Sequence, residues 1–290
     1  MIGYFIVVTN KKVYKSKFSK FLMEKYNLPS EEIKRFEVYR GAIVKTMSKL
    51  IADGRVPMNV SQLMQRRLDL RNDNPGVKAF YIGKSFDTGD AIVYHSDGRV
   101  KIVLDSQHLR EMTPESQRSY FGRALFIGEN VYNTLEGEEF GFGELGKVNN
   151  PMSKKDVKAH PVWKVLARDQ NLLNDYADYI FAEGKKRFKY NIAMGVYLDS
   201  SASNDVNMMP WFLDRLEDGS VVGGMSDISD VCGHLVGIAP EALSAPGKGV
   251  SNIKAYTMAD LQAFDKTMNG LEATVRPELL EPFVELRKKL

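Results

Sequence analysis

Apolar side chains recur at helical spacing over two long stretches of the chain, and gather in short dense runs between them. In the first stretch, Pro29-Ser30-Glu31-Glu32 marks a helix start, with Ser30 as cap and two acids in the first turn. Ile33, Phe36, Tyr39, Ile43, Val44, Met47, Leu50 and Ile51 then hold a 3.6-residue period up to Gly54, which predicts one helix over 30–53. After Pro57 a second cap, Asn59 or Ser61, opens a shorter helix over 60–71 carrying Leu63, Met64 and Leu70. Asn72-Asp73-Asn74-Pro75-Gly76 reads as a breaker. Beyond it, 78–86, 91–94 and 100–104 read as strands, the last two joined by the Asp97-Gly98 hairpin signal. Thr113-Pro114-Glu115 predicts another helix start, and 136–146, with its Glu and Gly, an acidic loop or linker. Ahead of all this, 2–9 reads as a strand and 11–26 as a helix.

The second helical stretch runs from 154 to 189, with a break at His160-Pro161 and a buried stripe of Val162, Val165, Leu166, Leu173, Tyr176 and Ile180. A short strand is expected within 192–198. Residues 199–252 are rich in Ser, Gly, Asp and Pro and read as a long loop around an apolar island, Met209-Pro210-Trp211-Phe212. Helices are expected over 257–268 and from Pro277 onward. The sum is an α+β protein: a mixed strand, helix and hairpin region over 1–150, then a mostly helical region over 151–290.

Composition changes this picture little, but charge does. The 290 residues are 43% apolar and 10% aromatic, enough for a full core. A lone Cys232, no signal-peptide pattern and no run of about 18 apolar residues point to a cytoplasmic protein that does not span a membrane. Positive charge is concentrated at one end. Residues 1–72 hold 15 Lys and Arg against 6 Asp and Glu, a net of +9 in a chain whose total is +3. Such a block suits a polyanionic partner, DNA or RNA.

The helices expected over 30–53 and 60–71 form a helix–turn–helix pair, and the Asp97-Gly98 hairpin would supply a wing. In layout this resembles a winged helix, which implies Gln65, Arg66 and Arg67 facing bases or phosphates. Lys45, Lys49, Arg55 and Arg71 would then hold the backbone. Nucleic-acid binding through this face is the leading expectation. Two alternatives come from other classes. One is a hydrolase-type enzyme with a pocket under the 199–252 loop, drawing on Asp87, Asp90 or His234. The other is a scaffold docking a protein partner at Met208, Met209, Trp211 and Phe212.

Motifs with chemistry of their own are sparse. Phe86-Asp87-Thr88-Gly89 resembles the active-site turn of aspartic proteases, which implies a second copy from a dimer, and Asp90 stands where that family has a small apolar residue. The segment from Thr88-Gly89-Asp90 to Asp97-Gly98-Arg99 also resembles a stretch of adenylate-forming ligases, without their phosphate loop. A polar turn between strands accounts for the same residues. Asp230, Cys232 and His234 alternate but fall short of a four-ligand metal set. Asp175 and Asp178, with Asp169 and Glu183 nearby, suit a solvated helix face. The Gly-rich 219–224 and 245–249 do not fit a nucleotide-binding loop. No cofactor or metal is assigned.

Overall fold

The structure, a computed structural model, describes residues 24–199 and 205–243. The strand expected over 2–9, nearly all of the helix over 11–26 and both helices expected after 256 lie outside those residues. The described residues fall within the compact unit Met1–Gly249.

Their centre is one mixed sheet of eleven strands. From the first half come β1 (Phe36–Arg40), β2 (Val56–Pro57), β3 (Phe86–Tyr94), β4 (Arg99–Val103), β5 (Arg118–Ser119), β6 (Ala124–Phe126) and β7 (Glu138–Gly141). The second half adds β8 (Val196–Tyr197), β9 (Asn207–Leu213), β10 (Val222–Gly223) and β11 (His234–Ile238). The order β1-β11-β3-β9-β10-β8 interleaves strands from either side of residue 150. Among the described residues the region after 150 is therefore not mostly helical, and one sheet takes strands from both sides of residue 150. The acidic 136–146 stretch contains an edge strand, β7, paired with β4, and a 3-10 turn at Phe142–Glu144.

Both faces of the sheet are covered. On one side Ile92, Met209, Trp211, Leu213 and Val236 meet Leu63, Met64, Phe80, Trp163 and Tyr176 from the helices. On the other, Ala91, Val93, Met208 and Leu235 meet Ile43, Met47 and Leu50 of helix Ile43–Ala52, with Leu109 and Tyr132. Successive residues of a strand point to opposite faces, so a strand covered on both sides is apolar throughout. That explains Met208, Met209 and Trp211: they form the middle of β9 and are buried. The apolar island is core, apart from the half-buried Phe212.

The helix–turn–helix reading fails at its first element. Residues 30–53 form helix Ser30–Arg35, strand β1 and helix Ile43–Ala52. Phe36 and Val38 face inward along β1, which pairs with β11 over its whole length. Gly41, at φ +138°, turns the chain into the next helix. The following helix, Val60–Asp69, starts at Asn59 with a capping box closed by Gln62. Asn72–Gly76 breaks the chain between two helices as expected, and Asn74 caps the second, Pro75–Ile82, with Pro75 in its first turn, so the strand expected from 78 begins only at Phe86. Thr113-Pro114 likewise leads into the β5–β6 hairpin rather than a helix. The long C-terminal stretch divides into helices Lys154–Ala159, Pro161–Ala167 and Gln170–Phe188.

Arg67 locks the helices to one another. Its side chain is wholly buried, and every acceptor it meets is neutral. Nε donates to the Tyr81 carbonyl and Nη2 to that of Lys84, each at 3.0 Å; Nη1 donates to Tyr176 Oη and Ser220 Oγ, each at 2.9 Å. Two of those carbonyls close helix Pro75–Ile82, where the helix dipole is negative and favours a cation. Arg67→Met should therefore lower unfolding free energy by about 3–5 kcal/mol, because several buried acceptors lose their donor. Lys45→Met, at an exposed position, should change it by less than about 0.5 kcal/mol. Urea unfolding of the two variants checks this; equal effects would contradict it.

Candidate functional site

The Asp-Thr-Gly-Asp segment lies in the middle of β3, where the register against β9 shifts between Asp87 and Ala91. A bulge in a buried strand leaves polar groups that water cannot satisfy, and each finds a partner. Thr88 Oγ1 donates to the Trp211 carbonyl at 2.8 Å. The Gly89 amide donates to the Met58 carbonyl at 3.0 Å, and the Gly89 carbonyl accepts from the Ser106 amide at 2.8 Å. A Cβ at Gly89 would stand 3.1–3.4 Å from Pro57, so the close approach of β2 favours glycine.

Asp90 is fully buried and accepts from the Val60 and Asp105 amides at 2.9 Å and from Arg168 Nη2 at 2.6 Å. Val60 is the first residue of its helix, so this carboxylate also meets the positive end of the dipole. Arg168 bridges onward from Nη1 to Asp105 Oδ2 at 2.5 Å, and Asn59 donates to Asp105 Oδ1 at 3.0 Å. Burial raises the Asp90 carboxyl against the pull of Arg168. Burial acts the same way on Asp105, but there Arg168, Asn59 and Arg110 outweigh it and the carboxyl is lowered.

Asp87, at the other end of the bulge, holds the loop over 224–233. Oδ1 accepts from Ser226 Oγ at 2.5 Å and Oδ2 from the His234 amide at 3.0 Å. Gly233 fits between them: a Cβ there would stand 2.9 Å from Asp87 Oδ2 and 3.0 Å from the Gly41 carbonyl. The loop is fixed on two further sides. Gly41 and Val44 donate to the carbonyls of Gly233 and Ile228, and the Ile228 amide donates to the Arg123 carbonyl at 3.0 Å. Arg123 also pairs with Asp227 at 3.3 Å. Loop 224–233 thus runs alongside the turn of the β5–β6 hairpin. Together they display Phe121, 99% exposed and held at φ +57°, and Val231, 72% exposed. Cys232 is exposed beside Val231, its amide bound to Asp230 Oδ1.

Burial shifts both titratable groups under this loop. It pushes the Asp87 carboxyl up to about 6, opposed by the Ser226 hydroxyl and the His234 amide, with the Asp230 charge adding to the rise. It pushes His234 down to about 4, assisted by the charges of Lys84 and Arg40.

The residues expected to read nucleic acid are scattered or engaged. Arg67 is in the core, as described. Arg66 is buried, ion-paired with Glu32, and lies over the Phe36 ring at 4.7 Å. Arg55 pairs with Glu37 at 3.4 Å and donates to the Gly237 carbonyl. Gln65 donates to Asp69 at 2.8 Å. Lys45, Lys49 and Arg71 are exposed, but Lys49 lies over the Tyr39 ring and Arg71 donates to the Leu68 carbonyl. The helix–turn–helix face does not exist, and five of the lysines behind the +9 excess lie within 1–23, outside the described residues. On helix Gln170–Phe188, Asp178 is held by Lys154 and Lys158 at 2.9 Å. The structure sets Asp87 beside the His234 amide, whereas Asp90, at the other end of the bulge, turns to Val60, Asp105 and Arg168. Sequence reasoning missed Arg168, Asp105, Ser226 and Phe121. Only Phe121-Gly122 carries a local sign, an aromatic next to a glycine at φ +84°.

No protein-family profile matches the sequence, and no curated protein does. Among solved structures, the chain is similar to one from work on the accommodation of massive sequence variation in Nanoarchaeota by the C-type lectin fold. The two share 10% identity with a TM-score of 0.52, over 70% of this chain and 96% of that one. The likeness assigns the C-type lectin fold and replaces the helix–turn–helix reading.

The opposed shifts of Asp87 and His234 have a measurable consequence. The native carboxyl binds its proton more tightly than the unfolded one, so its contribution to stability grows as pH falls through about 6 toward 4. Native His234 resists protonation, so its contribution shrinks as pH falls from 6.5 to about 4. In the wild type the two slopes oppose one another. Relative to it, Asp87→Asn should lose stability as pH falls across this window, and His234→Gln should gain. Thermal unfolding of all three proteins at several pH values checks the signs; parallel curves would contradict the coupling.

Proposed function

We propose that this chain is a recognition protein, whose rigid sheet presents the paired turns over 118–123 and 224–233 to a protein or peptide partner. The observation that carries this reading is Phe121: a large aromatic almost wholly in water, on a backbone conformation unfavourable to it. Non-glycine residues rarely adopt positive φ, and large exposed aromatics tend to be anchors that enter a partner's pocket. Val231 adds a second apolar contact on the adjoining loop. In contrast, Asp87 holds Ser226 and the His234 amide, and Asp90 holds two amides and Arg168, an arrangement suited to a stiff frame rather than to turnover. The fold likeness supports the same reading, since the Nanoarchaeota structure is described as accommodating sequence variation on this fold. A single cysteine suits a reducing compartment, and we place the protein in the cytoplasm. Among the described residues no helix is long and apolar enough to cross a membrane.

A phage library of random peptides, selected on the immobilised chain and rescreened on Phe121→Asp and Val231→Asp, tests this. Aromatic and aliphatic sequences should be enriched and should bind Phe121→Asp at least about tenfold more weakly, as expected for loss of an anchor. Asp tolerates positive φ better than Phe, so this variant should keep its fold. Failure to enrich any sequence, or binding to both variants undiminished from the wild type, would exclude the face.

A further inference from the structure

We infer that the C-terminal end of helix Gln170–Phe188 is a docking surface for an anionic lipid membrane. The sequence there is Lys185-Lys186-Arg187-Phe188-Lys189, followed by Tyr190-Asn191-Ile192. All four cations are exposed, and so are Phe188 and Ile192, at 43% and 53%.

Phe188 is supported by a built feature. The helix stops at Lys189, a left-handed residue at φ +64°. The chain then folds back so that the Tyr190 ring lies on Gly184, where a Cβ would stand 2.0 Å from the ring. Tyr190 Oη donates to the Leu216 carbonyl at 2.8 Å, which fixes the ring. Phe188 stacks on it, with centroids 6.0 Å apart and planes 10° from parallel. The result is an exposed aromatic, Phe188, backed by a fixed ring and flanked in sequence by four exposed cations, with Ile192 exposed two residues beyond Tyr190.

Acidic neighbours do not cancel the positive charge. Glu183 pairs with Arg187 at 2.9 Å and lies 3.9 Å from Lys78. On the adjoining turn, Asp218 pairs with Arg215 at 2.5 Å, and Glu217 lies 3.9 Å from the same guanidinium. Lys185 and Lys186 remain exposed, and Lys189 donates to the Lys186 carbonyl at 3.4 Å. An apolar wedge with cations around it matches a bilayer surface, where aromatic and aliphatic groups enter the headgroup boundary and lysines meet anionic lipid. A nucleic acid would also meet the cations and could stack on Phe188, but it has no use for an exposed Ile192. The exposed aliphatic side chain favours lipid.

Sedimentation of the full chain with phosphatidylcholine vesicles, with and without phosphatidylserine, tests the assignment. The wild type should bind only the phosphatidylserine vesicles, with affinity falling as salt rises. Lys185→Gln with Lys186→Gln should bind roughly thirtyfold more weakly, the effect expected for two cations near an anionic surface. Phe188→Ser with Ile192→Ser should bind at low salt but be released at salt concentrations the wild type withstands. Circular dichroism of both variants should match the wild type, since all four positions are exposed. No binding to phosphatidylserine vesicles, or undiminished binding by the Lys185/Lys186 variant, would overturn the inference. So would tight polyuridylate binding through these residues without vesicle binding.

Discussion

Inserting extra residues into the middle of a buried strand exposes polar atoms where no water can reach them. The bulge of β3 forces this problem, and much of the architecture is its solution. Asp90 turns back to meet the first amide of helix Val60–Asp69 and the amide of Asp105. In doing so it fixes where the helix starts and how the β3–β4 hairpin ends. Gly89 ties the same point to Met58 and Ser106. A fully buried carboxylate is tolerable only with donors on its oxygens, and Arg168 supplies the charged one. That requirement draws the turn between helices Pro161–Ala167 and Gln170–Phe188 down onto the sheet. At the far end of the bulge, Asp87 applies the same rule to loop 224–233.

Elements with a local chemical marker were legible in the sequence. The Asp97-Gly98 hairpin forms with Gly98 at φ +91°, Asn59 caps its helix, and His160-Pro161 separates two helices as expected. Elements defined by their neighbours were not. β1 is five residues long, and Phe36 and Tyr39 sit at spacings that also continue a helix from Ile33. A short strand cannot show its own period against such a background. β9 and β11 are buried on both faces, so they lack alternation, and they are separated by Gly-, Ser- and Asp-rich turns that read as loop. Sheet order links β3 to β9 and β11 across more than a hundred residues, which no local pattern encodes.

The charge reading failed for a related reason. Counting Lys and Arg measures a surface only if those side chains are on it, and Arg can be buried where its planar fork finds fixed oxygens. Arg67 is such a case. Its sequence neighbours, Gln65 and Arg66, suggest a polar face, but the carbonyls at the end of helix Pro75–Ile82 lie more than ten residues further on. Nothing near position 67 announces Tyr176 or Ser220. The Asp-Thr-Gly-Asp segment stood out for the right residue types, but its carboxylates serve the backbone.

This distribution of work separates what fixes the loops from what they display. Loop 224–233 is held by backbone amides and carbonyls at Gly41, Val44, Ile228, Gly233 and His234, with Asp87, Ser226, Arg123 and Asp227 as the side-chain contributors. Phe121 and Val231 are exposed and make none of those bonds. A change of side chain at either position therefore alters the displayed surface while leaving the hydrogen bonds of the frame intact. A change at Gly233 or Asp87 does the opposite, since a Cβ at the first collides with the carboxylate of the second. Hydrogen bonds to the main chain are indifferent to residue identity at the exposed positions. A fold that fixes its turns in this way can vary what it shows without rebuilding what holds it.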